Sequence, residues 1–129
     1  MSSLFTRIIQ GELPCHKIAE DDRFLAFLDI RPVKRGHALV IPKQEIDYIF
    51  DVEDDLLAEM MVFAKSVAKK MKLVLPCKRI GVTVIGLEVP HAHIHLIPIS
   101  NVDDMNFSLA KISIEREEME RIQQVIVNA

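Results

Sequence analysis

His91-Ala92-His93-Ile94-His95-Leu96-Ile97-Pro98 alternates imidazole with apolar side chains over its first six residues. A period of two is the signature of a β-strand, so the three imidazoles share one face and the apolar residues the other. Imidazole titrates near neutrality and serves as acid, base, nucleophile or metal ligand. The chain has 5 histidines, and three are in this one stretch. A hydrophobic core has no use for three aligned imidazoles, because burying each without a task costs desolvation energy. The stretch therefore reads as a chemical site on a strand.

Composition bounds what surrounds it. A chain of 129 residues reads as a single domain, 1–129, with enough length for a real core. Half of its residues are apolar, yet no run is long enough for a membrane span. The opening MSSLFTRIIQGELP has no basic region followed by a long apolar stretch, so no secretory signal is expected. Cys15 and Cys77 match neither a zinc pattern nor a disulfide framework, and an intracellular, cytoplasmic setting is expected. A formal net charge of −3 argues against a broad basic surface for nucleic acid while leaving room for a small nucleotide.

Ser3 stands where it caps a short helix over Leu4–Gln10, closed by Gly11 and Pro14. Strands are expected at His16–Ala19, Phe24–Ile30, His37–Ile41, Lys78–Ile85 and His91–Ile99, with Pro42 marking a strand end or edge. Leu56, Met60, Phe63, Val67 and Met71 recur at helical spacing within Val52–Lys72, and Leu57, Met61, Ala64 and Ala68 widen the stripe. Glu53, Asp54 and Asp55 near its start and Lys69, Lys70 and Lys72 near its end suit the helix dipole. A second amphipathic helix is expected over Ser113–Val127. The sum is an α+β domain: an antiparallel sheet with one long helix, a short N-terminal helix and a C-terminal helix.

Two chemistries suit a histidine strand. Alternate residues lie roughly 7 Å apart, so His91 and His95 are about 13 Å apart at the backbone. A zinc ion would thus use two of the three with a ligand from elsewhere, His37 being the obvious candidate. Alternatively, the central imidazole attacks phosphorus while its neighbours and backbone donors surround the phosphate oxygens, splitting one difficult displacement into two easier ones.

HAHIHLI also resembles the motif of the histidine-triad (HIT) family. The blocks LFTRIIQGELP (4–14), EDDRFLAFLDIRP (20–32) and GHALVIPK (36–43) follow in the order seen in its Hint-branch nucleotide-binding proteins. The resemblance covers about residues 1–100 and leaves 101–129 as a divergent tail with a helix. It implies a HIT-like fold and a homodimer. It also implies a hydrolase or transferase acting on a nucleoside monophosphate derivative, such as a purine nucleoside phosphoramidate, without a metal or other cofactor. His93 is then the nucleophile that becomes nucleotidylated, with His91 and His95 orienting it and touching phosphate and His37 supporting the triad. Asp29 matches the acidic residue that binds the ribose hydroxyls. Phe5, Ile8, Leu13, Phe27 and Ile30 match the apolar positions of the base cleft.

The chain departs from that pattern in places. Gly86-Leu87-Glu88 stands where the family commonly reads Gly-Gln followed by Ser, Thr or Glu. Leu87 supplies no polar group, and Glu88 takes a place where a hydroxyl often assists the leaving group. Arg79-Ile80-Gly81 replaces a polar Asn-x-Gly contact, and Glu45 replaces a histidine frequent after Ile-Pro-Lys. Slow turnover, a dinucleoside polyphosphate-type substrate and nucleotide binding with little catalysis are the alternatives these changes leave open.

Overall fold

The computed structural model describes residues 2–129; Met1 lies outside them. Helix α1 spans Leu4–Ile9, and Ser3 caps it by accepting the Thr6 N–H on its side-chain oxygen. Strands β1 (Lys17–Glu20), β2 (Phe24–Leu28) and β3 (Ala38–Pro42) follow, then the long helix α2 (Asp54–Val74). The chain returns through β4 (Arg79–Thr83) and β5 (Ile94–Ile99) and ends in helix α3 (Arg116–Val127). The five strands form one antiparallel sheet in the order β1-β2-β3-β5-β4, so β5 is inserted between β3 and the edge strand β4.

Alternation along the strands sends side chains to two different cores. Ile18, Phe24, Ala26, Leu28, Ala38, Val40, Ile94 and Leu96 face α2 and α3. On the helix side, Met60, Ala64, Val67 and Met71 are fully buried. Burying a Val or Met side chain stabilises the fold by about 1.5–3 kcal/mol, so this stripe alone fastens α2 to the sheet. The stripe is centred on Ala64 rather than Phe63, which is only partly buried, and Met61 turns toward solvent. On the opposite face Leu25, Phe27, Leu39 and Ile41 pack with Phe5 of α1.

Several elements are shorter than their sequence patterns. Strand β2 ends at Leu28, leaving Asp29 and Ile30 in the turn beyond it. Strand β5 begins only at Ile94, so His91 and His93 precede the ladder. There the backbone turns to other partners: the Ala92 N–H donates to the Ile46 carbonyl at 2.6 Å. Helices α2 and α3 begin at Asp54 and Arg116, after Val52 and Ser113.

Candidate active site

Register brings the distant histidines together. β3 pairs with β5 so that Leu39 lies opposite His95, which puts His37, two residues before Leu39, on the same face as His95 and diagonal to it. The rings of His37 and His95 are 5.1 Å apart by centroid, and those of His93 and His95 are 4.9 Å apart. Phe5 stands edge-on to His93 at 5.1 Å and to His91 at 5.8 Å. His37, His91, His93 and His95 are all buried.

Hydrogen-bond partners with fixed roles assign the proton on each ring. The Val33 N–H donates to Nδ1 of His37 at 3.0 Å, so the proton of neutral His37 is on Nε2. Nε2 of His37 in turn lies 2.9 Å from Nδ1 of His95, which must accept it and therefore holds its own proton on Nε2. Nδ1 of His93 lies 2.7 Å from the His91 carbonyl, which only accepts, so His93 is protonated on Nδ1 and bears its lone pair on Nε2. His91 donates from Nε2 to the Pro42 carbonyl at 2.7 Å and accepts the Ser3 hydroxyl on Nδ1 at 2.8 Å.

Two nitrogens are left over. Among the described residues no group hydrogen-bonds Nε2 of His93 or Nε2 of His95, and no buried side-chain nitrogen or oxygen lacks a partner. Those two atoms therefore reach solvent, one as a lone pair and the other as an N–H donor. Both ring nitrogens of His91 are taken by the protein, so its link to His93 runs through its backbone carbonyl.

Burial keeps the supporting rings uncharged. It lowers His37 to about 3, aided by the nearby His95, Lys111 and His93, and lowers His95 to about 4, aided by His93 and Lys111. His91 is lowered as well, again chiefly by burial. Burial pushes the Asp29 carboxyl up, opposed by the Arg31 N–H. Asp29 uses Oδ1 to accept that N–H at 2.8 Å, holding the turn, while Oδ2 lies 3.7 Å from Nε2 of His37.

Asp29, His37 and His95 bring one possible ligand atom each within 4.8 Å of one another, the spacing of a metal centre. The hydrogen bond at the far side of the His37 ring works against an ion there. A metal-bound histidine normally donates its remote N–H to an acceptor, whereas the remote nitrogen of His37 faces the Val33 N–H. Freeing Nε2 of His37 for an ion would set two N–H groups against each other.

The other candidates are dispersed around this centre. Phe5 and Phe27 are buried and meet edge-on at 5.5 Å, whereas Ile8 and Leu13 are half-buried and Ile30 is 75% exposed. Glu88 is exposed, and its charge is felt at Asp29. Arg79 lies opposite Ile99, whereas Thr83 lies opposite His95, so Arg79 is about 13 Å along the strand from the triad.

Sequence reasoning missed Ser3, Thr6 and Glu45 as a group. One Glu45 carboxylate oxygen accepts the Ser3 N–H and the Thr6 hydroxyl, each at 2.6 Å. The Thr6 hydroxyl, with the Ser3 N–H second, holds the Glu45 carboxyl down at about 2. The only sequence signal was the unusual Glu45 itself. Phe107 was also missed; it packs edge-on against His95 at 4.9 Å and His37 at 5.9 Å.

Comparison with known proteins finds relatives of this chain. The family model described as HIT domain matches residues 10–102. An uncharacterized HIT-like protein of Helicobacter pylori is 41% identical over 98 residues, covering 74% of this chain and 94% of that protein. The adenosine 5'-monophosphoramidase of Saccharomyces cerevisiae is 41% identical over 96 residues, covering 74% of this chain and 61% of that protein. The crystal structure of a HIT-like protein from Bartonella henselae superposes with a TM-score of 0.85 at 27% identity, covering 98% of this chain and 95% of that one. The chain belongs to the HIT domain family.

Proposed function

We propose that this HIT-family chain binds a purine nucleotide and cleaves a nucleoside monophosphate derivative, a phosphoramidate foremost, through a nucleotidyl intermediate on His93. The observation that carries the reading is the His93–His91 contact. With Nδ1 committed to the His91 carbonyl at 2.7 Å, the Nε2 lone pair is aimed outward, as a nucleophile needs. The yeast relative named as an adenosine 5'-monophosphoramidase supports the choice of substrate class.

In the first step Nε2 of His93 bonds to the α-phosphorus and the phosphorus–nitrogen bond to the leaving amine breaks, the amine departing with a proton taken from solvent. In the second step water attacks the same phosphorus and gives up a proton to solvent, the phosphorus–His93 bond breaks, and the nucleoside monophosphate leaves. Nε2–H of His95 donates to a phosphate oxygen as charge develops on it. His37 holds His95 in that donor tautomer, and His91 holds His93. Oδ2 of Asp29 accepts from the ribose hydroxyls, and Ile8, Leu13 and Ile30 line the base cleft over a floor of Phe5 and Phe27. Exposed Glu88 approaches from the leaving-group side.

A second copy belongs to the same proposal. Among the described residues edge strand β4 has no partner on its outer side, and Val82 within it with Val84 and Ile85 just beyond it are exposed apolar side chains. An unpaired apolar edge is a template for strand pairing, and a homodimer would cover it. Light scattering of the wild type and of Val82→Lys tests this, with a monomeric wild type counting against it. Residues 1–129 are taken as one domain, with Cys15 and Cys77 kept as free thiols in a reducing cytoplasm. No helix among the described residues is long and apolar enough to cross a membrane.

The deciding experiment is intact-protein mass spectrometry after brief mixing with adenosine phosphoramidate, quenched without acid. An AMP adduct that disappears in His93→Ala is the expected result. No adduct and no released AMP, in protein that binds AMP, would leave a nucleotide-binding protein. Adduct formation from a dinucleoside polyphosphate alone would change the leaving group and keep the mechanism.

A further inference from the structure

The segment following β5 is fastened at both ends across the His37–His95 side of the site. At its start the Asp104 carboxylate accepts the Ser100 N–H at 2.7 Å and the Asn101 N–H at 3.2 Å, and pairs with Lys34 at 2.9 Å. At its far end the Ile112 N–H donates to the Pro32 carbonyl at 3.0 Å. Between these anchors Phe107 contacts both rings of the relay. Lys111 lies across the same phenyl ring, its Nζ 4.8 Å from the centroid and 3.2 Å from the Phe107 carbonyl, which accepts from it. Lys111 is half-buried, and these contacts hold its ammonium beside the histidines rather than free in solvent.

The site needs such a charge. Its three supporting imidazoles are neutral near pH 7, and Asp29 beside His37, with Glu88 acting on Asp29 in turn, repels an anion. A nucleoside monophosphate derivative carries negative charge on the phosphate that must approach His93. Among the described residues, Lys111 is the lysine or arginine whose charge reaches all of Asp29, His37 and His95.

We propose that Lys111, seated on Phe107, is the phosphate-selecting cation of this site and makes it prefer a nucleotide to the corresponding nucleoside. The proposal rests on the nucleotide-binding reading and deepens it. The tail beyond the triad thereby becomes part of the binding site, with Phe107 as the platform that aims the ammonium at the phosphate side.

Calorimetric titration with AMP and with adenosine tests it on wild type, Lys111→Met, Lys111→Arg and Phe107→Leu. A control, Lys65→Met, makes the same charge change on exposed α2, across the sheet from the histidines. Lys111→Met is expected to weaken AMP by about tenfold, or about 1.4 kcal/mol, and to leave adenosine unchanged. Lys111→Arg should recover most of the loss, Phe107→Leu should lose part of it, and Lys65→Met should bind as wild type. Unchanged AMP affinity in Lys111→Met, or an equal loss for adenosine or in Lys65→Met, would overturn the proposal. Wild type that binds no AMP would remove the nucleotide reading and this proposal with it.

Discussion

The Ser3 hydroxyl lies 2.8 Å from Nδ1 of His91, so the residue that caps the first helix also sets the proton of the first triad imidazole, 88 positions away in sequence. With Nδ1 accepting from Ser3, His91 must donate from Nε2 to the Pro42 carbonyl, and its own carbonyl is held where His93 can bond to it. Helix α1 is thus coupled to His93 through one imidazole.

Ser3→Ala removes both the cap and the donor to a fully buried nitrogen. Loss of the cap costs about 0.5–2 kcal/mol, and the orphaned acceptor about 1–3 kcal/mol. The melting temperature is expected to fall. Turnover of an AMP phosphoramidate should drop by about tenfold, which is about 1.4 kcal/mol of barrier, with little change in KM. Ser3→Thr keeps the hydroxyl and should restore most of the rate. A rate loss that Ser3→Thr does not repair would mean the helix, rather than the hydroxyl, is what matters.

Proton positions on the four rings are directly measurable. Long-range nitrogen–proton correlation spectra at pH 7.5 should show His37, His91 and His95 protonated on Nε2 and His93 protonated on Nδ1. In His37→Ala the donor to Nδ1 of His95 is gone, and His95 should become a mixture of tautomers. His95 already mixed in the wild type would contradict the relay that starts at the Val33 N–H.

Acid should destabilise the fold earlier than carboxylates alone would make it. His37 falls from 6.5 to about 3 and His95 from 6.5 to about 4 on folding, so the unfolded chain binds protons that the native state refuses. Their contribution is fully present above about pH 6.5 and is lost as pH falls toward 4 and then 3. Glu20 and Glu45, lowered to about 2 by their hydrogen bonds, are depressed from 4.5 and act in a lower window. Asp29, raised by burial, acts with the opposite sign. Urea midpoints between pH 7.5 and 5 should therefore decline, and the decline should shrink in His95→Asn. An unchanged slope in that variant would show that His95 does not titrate in this window.

Gly36 is the most crowded of the glycines. Its φ is +91°, and an added Cβ would meet Leu75 Cδ1 at 2.7 Å. Gly36→Ala is expected to cost at least about 1–2 kcal/mol from the left-handed backbone alone. Gly11 also has positive φ, at +80°, yet nothing lies within 4 Å of its Cβ position, so Gly11→Ala should cost less. Chemical denaturation of both variants gives the comparison; equal losses would mean Leu75 yields freely.

Some of this was legible along the chain because it depends on periodicity. Alternation over His91–Leu96 correctly sends Ile94 and Leu96 to the helix-covered face and His95 to the other. Heptad-like spacing located α2, and Ser3 announced the cap of α1. Element ends were less legible, because hydrogen-bond partners decide them. His91 and His93 keep the alternating pattern of a strand, yet they precede the ladder, and the His91 and Ala92 N–H groups donate to the loop carbonyls of Val89 and Ile46.

The roles within the site were legible only in part. The histidine cluster and the family motif named His37 and Asp29. Nothing in the order of residues shows that His91 spends both ring nitrogens on the protein, or that Asp29 gives one oxygen to the Arg31 turn. Phe107 and Lys111 had no recognisable pattern, since a lone aromatic and a lone lysine carry no period.

The sequence by itself determined the fold class, the two faces of the sheet and the run of alternating imidazoles, because each follows from side-chain type and local spacing. Only the tertiary structure decided which nitrogen of each imidazole is free. That choice depends on whether a ring meets a backbone N–H, as His37 meets Val33, or a carbonyl, as His93 meets His91. Such partners are brought together by strand register and loop closure, whose contacts have no periodicity to read.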